Sequence, residues 1–419
     1  MKLIKILPLF LSASLLCACA SDIKPRIVQN SPRPEASAAE SSVKSDEPVF
    51  STDDERYQPL NYDVQKAVWI SYIELADMLA DSEQEFRSSL DEAYKNVSDL
   101  GCNTVYVHVR AFGDAYYSSS LYTVSKYVST ENGTLRYDPL KIMTELAHEH
   151  ELSFHAWINP MRCDTDEYMQ KMQGTQIYEW YSDSDKYPDY VSRPEGDDYY
   201  WLNPSRSEVR ELIADGVVEI AENYDVDGIH IDDYFYPTTA ESFDGQAYIE
   251  ASADISLADW RLENCSEMVK SIYEAVKSVD DDIIFGISPQ GNVDNNYSQM
   301  YADVEKWCAE SGYLDYIAPQ IYFGYNNDVC PFTQTLERWE RMVTNKEIKL
   351  VCGLGVYKLD RENEFIRNDG IIASQIEDVL SDGNCSGFAL YSYASLFTQG
   401  DRSGGRFERE TQAIYSALN

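Results

Sequence analysis

Short apolar runs alternate with longer amphipathic stretches from Asn61 to Asn419. The runs at Ala67–Ile70, Thr104–Val109, Ser153–Ile158, Gly228–Ile231, Ile283–Ile287, Tyr316–Pro319, Leu350–Gly353 and Gly387–Tyr391 have the length of buried strands. Between and after them, helical patterns occupy residues 85–99, 138–150, 206–224, 258–278, 301–310, 332–345, 369–382 and 404–417. Eight strands alternating with eight helices predict an α/β chain folded as a single (β/α)8 TIM barrel. The third crossover is interrupted by residues 160–205, a long insertion rich in Tyr, Asp and Pro. Insertions after a barrel strand lie on the face that carries the chemistry, and loops of this length are usually functional.

The N-terminus follows other rules. Lys2 and Lys5 precede an apolar run from Ile6 to Leu16, too short to span a bilayer as a helix, and Leu16-Cys17-Ala18-Cys19 follows. This reads as an export signal over residues 1–19, with Cys19 as the lipidated first residue of the mature chain. Cleavage as an ordinary signal peptide is the alternative. Residues 20–60 are rich in Ser, Pro, Glu and Ala and poor in aromatics, so they read as a disordered tether. Its mean reach is roughly 35 Å. Residues 61–419 form the barrel, expected outside the cell membrane and held to it by the lipid.

With 34 basic and 72 acidic residues the formal charge is −38, and no basic patch stands out. Nucleic acid is therefore excluded as a partner, and polyanionic substrates are disfavoured. Seven of the nine cysteines fall in the barrel, singly spaced, which fits buried free thiols better than a disulfide framework or a zinc site.

The strand exits concentrate the chemistry. The fourth reads Asp225-Val226-Asp227-Gly228-Ile229-His230-Ile231-Asp232-Asp233-Tyr234-Phe235-Tyr236-Pro237, an apolar core running into two carboxylates and then aromatics. Asp232 shares the parity of His230 and is the first candidate for a catalytic carboxylate. Asp233 is the second, and alternation turns it sideways. Other exits supply Arg110, Asn159, Arg162, Ser288, Gln320, Tyr322 and Tyr391, which with Tyr234 make a set of hydrogen-bonding and aromatic groups suited to a hydroxyl-rich glycan. Most glycosidases use two carboxyl groups. The partner of Asp232 is Asp233, a loop residue such as Asp114 or Glu74, or a 2-acetamido group of the substrate. No cofactor is called for: Gly353-Leu354-Gly355 is too short for a phosphate loop.

In Trp157-Ile158-Asn159-Pro160, Asp227-Gly228-Ile229-His230-Ile231-Asp232-Asp233-Tyr234, Gly286-Ile287-Ser288-Pro289 and Ala318-Pro319-Gln320-Ile321-Tyr322, the chain resembles the bacterial glycosyl hydrolase-like family 10, also called the domain-of-unknown-function 187 family, over about residues 65–400. The resemblance implies a TIM barrel, export or lipid anchoring, and glycan hydrolysis, for some members of peptidoglycan chains stripped of their peptides. Strand four is also similar to the family 18 chitinase pattern Asp-Gly-x-Asp-x-Asp-x-Glu. Asp227, Gly228 and Asp232 match, His230 replaces an Asp, and Tyr234 stands where the acid Glu belongs. That departure keeps a rival open, a barrel that binds glycans without cleaving them. A hydrolase of imported polysaccharide is a third reading.

Two further groups admit two readings each. His108, His155 and His230 lie on three neighbouring strands with inward parity, as a metal site or as links in a hydrogen-bonded interior. They stop short of the strand exits, which favours the interior. In the insertion, Trp180, Tyr181, Tyr187, Tyr190, Tyr199, Tyr200 and Trp201 are sugar platforms or the insertion's own core.

Overall fold

The computed structural model describes residues 57–381, 383–398 and 404–419. The expected export signal, Cys19 and the tether up to residue 56 lie outside the described residues.

Eight parallel strands form the barrel: β1 (Gln65–Ile70), β2 (Thr104–Arg110), β3 (Ser153–Ile158), β4 (Gly228–Ile231), β5 (Ile284–Ile287), β6 (Tyr316–Ile317), β7 (Lys349–Leu350 and Cys352–Gly355) and β8 (Gly387–Tyr391). β7 is broken at Val351. Its first half pairs with β6 and its second with β8, so the sheet closes on itself. β6 is shorter than its apolar run because Pro319 has no N–H to give the ladder. The Pro319 carbonyl still accepts from Gly353 N at 2.9 Å.

Period-two alternation divides these strands between two cores. Val68, Ile70, Val105, Val107, Phe154, Ile229, Ile231, Phe285, Leu350, Leu354, Phe388 and Leu390 face the helices. Ala67, Trp69, Tyr106, Trp157, Tyr316, Ala318, Val351 and Ala389 fill the barrel. Small residues make room for large ones. A Cβ on Gly286 would lie 1.9 Å from the Tyr316 ring, and one on Gly228 would lie 2.8 Å from His155. Gly286→Ala should therefore destabilise the fold by about 3 kcal/mol or more, read as a lowered urea midpoint. An unchanged midpoint would show that Tyr316 can move aside.

Outer helices start where capping residues stand. Ser82, Asp138 and Ser256 accept from the backbone N–H of Glu85, Lys141 and Asp259 at helices Glu83–Asp99, Pro139–Glu149 and Leu257–Val279. Six of the seven barrel cysteines are buried and Cys385 is half-buried. The insertion is not a bare loop. Arg162–Thr165, Tyr199–Leu202 and Val191–Ser192 form an antiparallel sheet, accompanied by helices Asp166–Met169 and Gln176–Ser182. Trp180 and Trp201 are buried in the apolar cluster shared with the barrel's outer layer, and Tyr178, Tyr181, Tyr187, Tyr190 and Tyr200 pack against it.

The tether boundary also moves. Tyr57 Oη and Leu60 N donate to Asp227, and Asn61 Nδ2 donates to the Asp227 carbonyl at 3.1 Å, so residues 57–60 belong to the barrel's N-terminal end. Asp227 also accepts from Phe154 N at 2.6 Å and pairs with His148 Nε2 at 2.9 Å. This first acid of the strand-four motif is a structural lock at the barrel floor.

Candidate active site

At the C-terminal ends of the strands lies a cavity of about 260 Å³, lined among others by Trp69, Asp232, Asp233, Ser288, Gln320 and Tyr391. A larger hollow of about 460 Å³ opens at the opposite end, beneath Tyr57 and the carboxylates of Asp225 and Asp280. Barrel enzymes place their chemistry at the C-terminal face, so position outweighs volume here.

Both carboxylates after β4 reach the smaller cavity, and Asp233 does not turn sideways as alternation predicts. The ladder ends at Ile231, and beyond it backbone turns replace the pleat: Tyr234 N donates to Asp232 Oδ1 at 3.2 Å and Phe235 N to the Asp233 carbonyl at 2.9 Å. Asp232 is only 5 % exposed. Burial, and then the charge of Asp233, push its carboxyl well above the usual range. The Tyr234 N–H, the Arg162 charge and the Trp157 N–H oppose them. Asp233 is half-buried and is also raised by burial, but Gln320, Gln290 and the Arg162 charge favour its ionised form. Gln320 Nε2 donates to Asp233 Oδ1 at 3.2 Å and to the Ser288 carbonyl at 3.1 Å. The neighbours thus treat the two acids unequally, the condition for dividing acid and base roles between them.

Aromatic rings form the walls. Tyr322 and Tyr391 stack at 5.8 Å between centroids, and Trp69 meets both edge-on at 6.5 and 6.1 Å. Tyr357 closes the side, 5.8 Å from each tyrosine. The Ser288 hydroxyl, in a residue 1 % exposed, is buried at this cavity without a protein hydrogen-bond partner. Such a group awaits a polar ligand.

The remaining candidates divide. Tyr234 lines the cavity, with the Arg162 guanidinium 4.6 Å above its ring and also over Phe112 and Tyr199. Arg162 is thus held among rings and does not itself line the cavity. Asn159 is buried behind the cavity, where it accepts from His108 Nε2 at 3.2 Å and donates to the Ala111 carbonyl at 3.2 Å. Arg110 leaves the site altogether. A bulge sets His108 against Trp157 and Arg110 against Ile158, which turns Arg110 outward to lie 4.3 Å over the Tyr122 ring beneath Gly216. It is a residue of the outer core.

Neither loop carboxylate joins the lining residues. Glu74 accepts from Ser71 N at 2.7 Å, Ser71 Oγ at 2.8 Å, Ala394 N at 2.7 Å and Ser392 Oγ, tying the exits of β1 and β8 together. Asp114 is buried, accepts from Phe112 N at 3.1 Å and lies near Lys126. None of the seven insertion aromatics lines the cavity either. Trp69, Tyr72 and Tyr357, from the exits of β1 and β7, line it instead. Within two positions of the strand ends these exits carry no carboxylate, amide or Arg to draw attention. Their signal is the aromatic residue itself within two positions of a strand end.

The histidines belong to the interior. His108, His155 and His230 each bond through both ring nitrogens, and no cluster of three or more metal-ligating side chains occurs among the described residues. His108 nevertheless reaches the cavity wall, stacked 3.4 Å from Trp157.

Comparison with known proteins agrees with this geometry. Residues 65–368 match the family model described as glycosyl hydrolase-like 10. The chain is 32% identical over 325 residues to glycosyl hydrolase YngK of Bacillus subtilis, covering 70% of this chain but 61% of that protein. It is 30% identical over 297 residues to glycosyl hydrolase DigH of Escherichia coli K12, covering 65% of this chain and 67% of that one. Among solved structures, the glycoside hydrolase domain of PgaB (BpsB) from Bordetella bronchiseptica superposes with a TM-score of 0.58 at 10% identity, over 85% of this chain and 99% of that one. The catalytic domain of the β-amylase from Paenibacillus polymyxa gives 0.56 at 12%, over 85% and 99%. At such identities the likeness shows the fold, a (β/α)8 barrel. The family match covers most of the chain, and the chain belongs to the glycosyl hydrolase-like 10 family.

Proposed function

We propose that the chain is a glycoside hydrolase of the cell envelope that cleaves N-acetylated glycan chains, such as peptidoglycan strands freed of their peptides. The observation that carries the reading is the pair of adjacent carboxyls, unequal in their partners, on the floor of an aromatic cavity. The family and its named relatives support it.

Asp232, held protonated, gives its proton to the glycosidic oxygen as the bond to the anomeric carbon breaks. Asp233, held as the carboxylate by Gln320, faces the positive charge that develops on the sugar. When the substrate carries a 2-acetamido group, its carbonyl oxygen attacks the anomeric carbon and Asp233 accepts from the amide N–H. Water then opens the ring so formed and returns a proton to Asp232. The cavity is slightly smaller than the ~300–1,000 Å³ usual for small-molecule sites, which suits one sugar ring gripped at the point of cleavage.

The experiment is a glycan panel of peptide-free peptidoglycan strands, chitin oligomers and neutral plant glycans, with new reducing ends as the readout. Cleavage confined to N-acetylated glycans is expected. Saturable binding without product would instead favour a lectin-like barrel. Gln320→Ala should lower kcat/KM about tenfold or more, because Asp233 loses a donor to its ionised form, its pKa rises, and the acidic limb of the pH profile moves up. An unchanged profile would remove Gln320 from the site.

The anchor belongs to the same proposal. Residues 57–61 dock at the barrel end opposite the cavity, so a tether leaving Tyr57 would turn the catalytic mouth away from the membrane. Cys19→Ser should release the protein from membranes or leave it uncleaved. Equal fatty-acid labelling of both forms would contradict lipidation at Cys19.

A further inference from the structure

The buried histidines have a task in the site that neither the fold nor the acid pair explains. Trp69 Nε1–H donates to His230 Nε2 at 3.1 Å, and an indole N–H can only donate. His230 is fully buried, and burial holds its pKa well below the usual histidine value, so the ring is neutral and its proton sits on Nδ1. That proton goes to Tyr316 Oη at 2.8 Å. The tyrosine hydrogen then goes to His155 Nδ1 at 2.7 Å, and His155 Nε2–H donates to Ser153 Oγ at 3.1 Å. The Trp69 N–H sets the upper half of the column, and the lower half is the assignment that continues it. It descends the barrel from the cavity wall at Trp69, and Tyr106 stacks on His230 at 4.2 Å to fix the ring plane.

We infer that His230 is a positioning residue for substrate: it holds the buried Trp69 indole as a fixed part of the cavity wall on which the sugar ring beside Asp232 and Asp233 seats. This rests on the proposed glycosidase reading. Without the His230 acceptor the buried Trp69 N–H is left unpaired, a cost the ring relieves by shifting against Tyr322 and Tyr391. Fixing a flat side chain before the ligand arrives removes an ordering cost from binding, so the effect should appear in KM more than in kcat. Metal ligation offers no competing account, because both ring nitrogens of His230 are engaged with protein groups.

The test is kinetic and uses two amides of different reach. His230→Asn sets its amide near the Nδ1 position, towards Tyr316, and abandons Trp69. His230→Gln sets its amide near the Nε2 position and can still accept the indole N–H. On a glycan that the wild type cleaves, His230→Asn should raise KM about tenfold with kcat within about threefold, and His230→Gln should recover most of the loss. Trp69→Phe should raise KM similarly, and the double variant His230→Asn, Trp69→Phe should be no worse than either single change. Melting temperatures identify any variant that fails to fold, and Tyr316→Phe, which keeps the ring and cuts the column one step lower, then takes its place with the same expected rise in KM. Unchanged KM in folded His230→Asn, or additive losses in the double variant, would overturn the inference while leaving the glycosidase intact. A wild type that cleaves no glycan would overturn both.

Discussion

Asp232→Asn should abolish turnover while making the protein more stable. The substitution preserves size and the contact with Tyr234 N but removes the proton that the leaving oxygen needs. General acid catalysis is worth ~10²–10⁴ in rate, so kcat should fall at least that far while the glycan still binds. The stability gain follows from linkage. The folded-state pKa of Asp232 lies above its unfolded value, so the native state binds more protons in the window between them, and wild-type stability falls as pH rises through that window. Asparagine does not titrate. Its advantage should therefore be absent below about pH 4, grow towards neutrality, and reach about 2 °C or more in Tm at pH 7. Near-normal turnover would remove Asp232 as the acid. A Tm advantage that does not change between pH 4 and pH 7 would contradict the raised pKa. The same asymmetry predicts a bell-shaped pH profile of kcat/KM, needing Asp232 protonated and Asp233 ionised.

The second large effect is structural and lies at the other end of the same strand. Asp227→Ala should cost about 3 kcal/mol or more in unfolding free energy. It strips the carboxylate from the buried Phe154 N–H and releases Tyr57, Leu60 and His148 together. Folded molecules should keep their kcat, because the lock is separated from the cavity by the length of β4. Urea denaturation reads the loss, and limited proteolysis should find new cleavage ahead of Gln65. An unchanged urea midpoint would mean that the N-terminal segment holds the barrel floor through other contacts.

The barrel was legible because its strands keep period two almost without exception, and the boundaries of β3, β4 and β8 coincide with their apolar runs. The site was legible only where that rule held. It failed at Arg110, because a bulge leaves no mark in composition and moves one inward position to the outer layer. It failed again at Asp233, because parity has no meaning once the ladder stops at Ile231. Asp227 looked like part of a catalytic motif through its neighbours, yet its position before the strand puts it on the barrel floor. Trp69 and Tyr357 went unmarked because aromatic residues at strand ends are read first as core, and only the closed barrel shows that these face a cavity. The insertion's rings went the other way. Trp180 and Trp201 extend the barrel's outer apolar cluster instead of facing the cavity.

The central claim is that a glycosidic bond is broken over Asp232 and Asp233. A crystal structure of the Asp232→Asn variant with an N-acetylated oligosaccharide tests it most directly. The scissile oxygen should lie within hydrogen-bonding reach, about 2.6–3.2 Å, of the residue-232 amide, with the adjoining ring against the wall that Trp69 lines. A sugar bound instead over the insertion, or at the opposite end of the barrel beneath Tyr57, would contradict it.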